Sequence, residues 1–91
     1  MAGKTYFEDS MIKVSNKGIY INKIRHDLYD VHSVNKNITI YLKHQITLTF
    51  INGKSVTYNV TAANMNNIYV AILDALIEMH EGYIPRAKNR N

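Results

Sequence analysis

The chain has 91 residues, 11 Lys and Arg against 7 Asp and Glu, no Cys and one Pro. That length holds one domain. The missing Cys excludes a disulfide scaffold, a thiolate zinc site and a thiol nucleophile.

A hydrophobic fraction of 46% with 20% charged residues is that of a folded domain, not a disordered chain. The net charge of +4 is unevenly placed. Residues 1–85 hold 8 Lys and Arg against 7 Asp and Glu, a balance of +1, and Arg86, Lys88 and Arg90 add the other +3. The chain therefore reads as a single domain over 1–85 and a flexible basic tail over 86–91, set off by Gly82 and Pro85. The first ten residues contain no apolar run of signal-peptide type. The longest apolar-leaning stretch, Ile38–Ile51, is broken by Lys43-His44-Gln45 and is too short to span a bilayer. A cytoplasmic location is the expectation.

From Met11 to Thr61 apolar and polar residues alternate, which is strand behaviour. Met11–Val14 and Ile19–Ile21 form a first hairpin around the loop Ser15-Asn16-Lys17-Gly18. Pairing Val14 with Ile19 and Ile12 with Ile21 puts all four on one face. Lys13 and Tyr20 then point the other way. Lys23–Lys36 is less regular; Ile24, Leu28, Val31 and Val34 are its apolar anchors, and Asp27-Leu28-Tyr29-Asp30 is a turn between two short strands. The even positions 38, 40, 42, 46, 48 and 50 keep one parity. Either one bent strand runs from Ile38 to Phe50, or two strands meet at Lys43-His44-Gln45. The lack of a glycine there favours the bent strand. In the next turn, Asn52-Gly53 suggests a two-residue loop, but that register sets Leu48 against Thr57. A three-residue loop, Ile51-Asn52-Gly53, with Gly53 in the left-handed region pairs Leu48 with Val56 and Ile46 with Tyr58. The opposite face is then Thr47, Thr49, Ser55, Thr57 and Asn59, suited to water.

A helix follows Thr61, its N-cap. Met65, Ile68, Ile72, Leu76 and Met79 make one apolar stripe, widened by Tyr69 and Leu73. Val70 and Ile77 fall outside it and are open to another chain or to the sheet rim. Gly82 and Pro85 end the helix. The fold class is thus α+β: a bent antiparallel sheet or partly open barrel of about six or seven strands with one C-terminal amphipathic helix.

Thr5–Asp9, then Ile12–Ile21 and Asp30–Val34, resemble the opening of small uncharacterised bacterial pleckstrin-homology-like (PH-like) proteins. Ile46–Lys54 and the helix resemble their close. The resemblance implies a PH-like sheet plugged by a helix. Many such relatives carry a membrane hairpin between the two halves. Here Asn35-Lys36-Asn37 and a polar-interrupted strand stand in its place, so membrane anchoring is not implied. The resemblance names no catalytic residue, and fold alone does not give function.

His26, Asp27, Asp30 and His32 lie within seven residues, but match no established metal-ligand spacing. They read as a polar turn, with the Asp side chains shaping the backbone. His44 has core parity without a nucleophile or carboxylate set beside it, and Asp74 and Glu78 are one helical turn apart on a solvated face. No phosphate loop or serine elbow appears. Neither enzyme activity, nor a metal, nor a cofactor is expected. Asn37-Ile38-Thr39 and Asn59-Val60-Thr61 match glycosylation acceptors by chance among 11 Asn. Tyr58 and Tyr69 belong to the core. Tyr20 and Tyr41, with Lys13 and Lys43, face away from it.

The leading expectation is a non-enzymatic protein- or peptide-binding module, open to self-association, using Lys13, Tyr20, Tyr41, Lys43, Val70 and Ile77. The alternative is a small mobile-element or phage-encoded inhibitor that binds nucleic acid or a nucleic-acid-handling protein, with electrostatic contacts from Arg86, Lys88 and Arg90. Weak membrane-surface binding stands third, against the body charge of +1.

Overall fold

A computed structural model of the chain describes residues 3–81. The tail, with Arg86, Lys88 and Arg90, and the helix stop at Gly82 and Pro85 lie outside the described residues.

Seven strands precede one helix: β1 (Thr5–Glu8), β2 (Ile12–Ser15), β3 (Gly18–Ile21), β4 (Ile24–His26), β5 (Val31–Ile38), β6 (His44–Phe50), β7 (Ser55–Val60) and α1 (Ala62–His80). All pairings are antiparallel, and they form two sheets, β1-β2-β3-β4 and β5-β6-β7. The class is α+β, as expected, with two open sheets in place of one bent sheet. No helix among the described residues is long and apolar enough to cross a membrane.

The first hairpin has the expected register, Val14 opposite Ile19 and Ile12 opposite Ile21. All four are buried. Ser15 and Gly18 also pair, so the loop is Asn16-Lys17 alone, shorter than the predicted four residues. Ser15 is buried and its Oγ accepts from the Lys17 N–H, which closes the turn. Gly18 has φ +141°, and a Cβ there would lie 2.9 Å from the His26 carbonyl oxygen on β4. The two-residue turn of left-handed residues sits one connection later. Asn22 (φ 52°) and Lys23 (φ 70°) join β3 to β4, with Ile21 opposite Ile24, a type I′ pattern whose twist matches the strands.

Asp27 caps a single 3₁₀ turn, Leu28–Asp30, its carboxylate accepting from the Tyr29 N–H. That turn drops Leu28 into the core and starts β5.

One expectation fails here. Ile38–Phe50 is two strands, and their turn spans Thr39–Lys43 rather than Lys43-His44-Gln45. The Thr39 N–H donates to the Lys43 carbonyl and the Leu42 N–H to the Thr39 carbonyl, both at 2.9 Å. A glycine proves dispensable because Leu42 itself takes φ 61°. The Thr39 hydroxyl accepts from the Tyr41 and Lys43 N–H groups and holds the loop. The next turn repeats this pattern with the residue chemistry it favours. Phe50 N–H bonds the Lys54 carbonyl, Gly53 N–H bonds the Phe50 carbonyl, and Gly53 has φ 89°. Leu48 pairs with Val56 and Ile46 with Tyr58, as the three-residue loop requires.

The strand β1 was not anticipated as an element. It pairs with β2, with an irregularity at Tyr6 between the Thr5 and Phe7 pairings. α1 starts as expected: Thr61 Oγ1 accepts from the Asn64 N–H. Ile68, Ala71, Ile72, Ala75, Leu76 and Met79 are buried against β1, β2, β5, β6 and the 3₁₀ turn. The core joins this face to Ile12, Val14, Ile19 and Ile21 of the first sheet and to Val31, Val34, Ile46 and Leu48 of the second. Each fully buried Ile or Leu contributes roughly 1.5–3 kcal/mol by leaving water. Met65, Tyr58, Tyr69 and Leu73 pack against this core half-buried, at its rim rather than its centre.

Candidate interaction surface

Among the described residues, the β5–β6 turn carries the most exposed large apolar side chains. Ile40 is 89%, Tyr41 79% and Leu42 76% exposed, with Ile38 at the end of β5 beside them. The last β5–β6 pair is Ile38 opposite His44, so the three tip residues have no strand opposite them to cover them. Lys43 adjoins the tip and is exposed. Leu42 holds a left-handed conformation that costs a residue with a Cβ roughly 1–2 kcal/mol. Backbone strain of this kind gathers at functional sites.

Tyr41 was expected on the outer face of a strand, near Lys43. It stands instead at the apex of a turn on the second sheet, while Tyr20 lies within β3 of the first. Tyr20 is paired directly with Lys13 and, on its other side, with Arg25. All three share the outer face of the first sheet. Lys13 and Tyr20 border an open hollow of about 680 Å³ with Asp9, Met11 and Lys23. The six predicted contact residues therefore fall in three places: Lys13 with Tyr20, Tyr41 with Lys43, and Val70 with Ile77 on the helix.

Val70 and Ile77 are outside the buried stripe, at 50% and 51% exposure. Asp74 and Glu81 lie between and beyond them, and both are exposed. Residues 70, 74, 77 and 81 are spaced four, three and four apart, which sets them along one face of the helix.

The remaining acid of that segment, Glu78, is occupied. It accepts from the Tyr6 hydroxyl and from Lys4 Nζ, and the Lys4 ammonium also lies 4.9 Å from the Tyr6 ring centroid. The Tyr6 hydroxyl and then Lys4 hold the Glu78 carboxyl below its ordinary range. Burial, and then the bond to Glu78, push the Tyr6 hydroxyl well above its ordinary value. This clasp fastens β1 to α1.

The second sheet's outer face is wholly uncharged. Across its three strands run the rows Ser33–Thr49–Ser55, Asn35–Thr47–Thr57 and Asn37–Gln45–Asn59. The Thr47 and Thr57 hydroxyls are 2.9 Å apart, and Gln45 donates to Asn59 at 3.1 Å. Cross-strand neighbours thus satisfy part of the face, as a water-facing surface requires.

A charge signal in the sequence was missed. Residues 31–73 contain no Asp or Glu and three Lys, at 36, 43 and 54. Residues 74–81 contain Asp74, Glu78 and Glu81 and no Lys or Arg. Lys36 is engaged with the helix, bonding Asn66 and lying 4.9 Å from the Tyr69 ring centroid. Lys43 has no acid partner among the described residues.

Of the His and Asp in the 26–32 segment, His26 and Asp27 build the fold through their side chains, whereas Asp30, expected to shape the turn in the same way, enters through its backbone. His26 Nε2 is 3.3 Å from the Tyr58 hydroxyl, and its ring centroid is 5.3 Å from that of Phe50, which ties the first sheet to the second. Among the described residues no three His, Asp or Glu side chains are placed to hold a metal ion. Thr39 and Thr61, the hydroxyls of the two chance glycosylation motifs, serve as turn brace and helix cap.

Comparison of the chain with protein-family models, with curated proteins and with solved structures finds no match.

Proposed function

We propose that this chain is a non-enzymatic protein-binding module that presents the β5–β6 tip to its partner. The carrying observation is the exposure of Ile40, Tyr41 and Leu42 together on a braced turn. Apolar and tyrosine side chains that enter a partner's pocket dominate protein interfaces. A brace such as Thr39 lowers the ordering cost of binding. The non-enzymatic reading draws on the engagement of His26, Asp27 and Glu78 in bonds that build the fold. Strands first and then one C-terminal helix is the order that the resemblance to PH-like proteins implies, and it agrees with that reading.

The test is capture from native extract by the intact chain and by an Ile40→Ser/Leu42→Ser variant. Specific partners should fall by about tenfold or more, the effect of losing one hot-spot cluster. Retention of the same partners at the same yield would count against the tip.

The acid-free segment 31–73 favours one second reading, binding to nucleic acid or to a protein that handles it. Oligonucleotide binding that persists in the tip variant and weakens steeply with salt would favour that reading over the first.

A further inference from the structure

The tip and the outer stripe of α1 are complementary to each other. The tip is convex, apolar and flanked by Lys43, within a segment free of acid. The stripe alternates apolar and acidic residues: Val70, Asp74, Ile77, Glu81. Beside it, Tyr6, Tyr69, Val70 and Asp74 border a hollow of about 490 Å³, with room for more than one side chain. The two surfaces do not meet within one molecule, since the tip residues remain 76% to 89% exposed and Val70 and Ile77 about half exposed.

We propose that the tip of one copy docks on the α1 stripe of a second copy. This rests on the protein-binding reading of the tip and names its partner. Ile40 and Leu42 cover Val70 and Ile77, Tyr41 enters the hollow, and Lys43 lies against Asp74 or Glu81. Asp74 and Glu81 are the acids of the segment that Lys4 does not already hold. Because the two surfaces differ, the contact is head-to-tail. Every bound copy still offers one free tip and one free stripe, so assembly continues into short chains or closes into a ring. A contact this small sits below about 1,200 Å² of total buried area, in the weak and transient class, so assembly is expected only at high protein concentration.

Head-to-tail docking has a signature that a symmetric contact lacks. Sedimentation of the whole chain should show mass rising with concentration up to about 1 mM. The tip variant Ile40→Ser/Leu42→Ser and the stripe variant Val70→Ser/Ile77→Ser should each be monomeric alone. All four positions are at least half exposed, so both variants should keep the parent circular dichroism and a cooperative melt, which verifies folding. Mixed one to one, they should form dimers and nothing larger, because one intact tip and one intact stripe remain. A mixture that stays monomeric while the parent assembles overturns the tip-to-stripe pairing. A parent that stays monomeric at about 1 mM overturns self-docking altogether. In that case, tip-dependent capture of another protein leaves the protein-binding reading standing. Tip-dependent pelleting of the monomer with phosphatidylserine–phosphatidylcholine vesicles, without such capture, overturns both.

Discussion

At Leu42 local energetics and exposure conflict. Position 42 has φ 61° and occupies the same place in its turn as Gly53 does in the next, where φ is 89°. Glycine is the default residue there. Leu42 buries little, being 76% exposed, so its side chain gives small return for the strain. Leu42→Gly removes roughly 1–2 kcal/mol of strain and adds back roughly 0.5–1 kcal/mol of unfolded-chain entropy. The net is a gain of up to about 1.5 kcal/mol, centred at about 0.75, or a Tm rise of about 4 °C in a domain of this size. Thermal denaturation checks the rise, and the same variant should lose the tip contact. A lower Tm would mean that Leu42 supports the fold. Sequence parity put residue 42 on a core face because the pattern runs evenly through positions 38 to 50. The run Ile40-Tyr41-Leu42 gave no warning, since the like run Ile19-Tyr20-Ile21 is a strand, with its Tyr on the outer face.

Among the elements, β1 depends most on side chains for its place. It is short, lies at the edge of its sheet, and is held to α1 by the Tyr6–Glu78–Lys4 clasp. Glu78 has a folded-state pKa below its unfolded value. Its contribution is therefore present above the unfolded value and lost as pH falls through the folded one. Tyr6 is shifted upward, so its contribution is whole below a pKa of about 10, the ordinary tyrosine value, and lost as pH rises beyond it. Glu78→Gln should lower stability at neutral pH, where the carboxylate is ionised, and converge with the parent as pH falls, so that the acid limb flattens, as followed by urea denaturation from pH 3 to 7. An unchanged acid limb would show that the clasp does not bear on folding. The clasp was illegible in sequence, because its members are more than 70 residues apart and Glu78 reads as one of several acids on a solvated helix face. The hairpins were legible. Their registers follow from which pairings put apolar residues opposite one another, and a one-residue slip would have turned Val14 or Leu48 out of the core.

For the molecule as a whole, the core and the helix could be read from period alone, since burial of one face is what the pattern encodes. The division into two sheets could not. It falls at the 3₁₀ turn Leu28–Asp30 between β4 and β5, which the sequence marks as a turn without showing whether the strands on either side pair. Nor could the turn between Ile38 and His44 be read, since it uses a threonine brace and a strained leucine in place of the usual glycine. The contact residues were legible only in part. Val70 and Ile77 stood out by helical angle, whereas Ile40 and Leu42 were hidden among core-parity positions. The separation of an acid-free sheet from an acidic helix end was visible in the residue order, but appears only when charges are counted by segment rather than over the chain.

The turn at Asn52-Gly53 bears on how the protein ages. In a flexible chain, the amide nitrogen after Asn attacks the side-chain carbonyl and releases ammonia, most readily when glycine follows and no Cβ stands in the way. Here the Gly53 nitrogen is committed to the Phe50 carbonyl at 2.9 Å, and Asn52 Oδ1 accepts from the Lys54 N–H at 2.9 Å. Both reacting groups are held out of the attacking geometry. Peptide mapping after prolonged incubation should therefore find Asn52 deamidated more slowly in the folded chain than in urea; equal rates would mean that the turn opens freely. Once water opens the succinimide so formed to a carboxylate, each such event would place a first negative charge in the acid-free segment 31–73, which makes the turn a slow chemical clock.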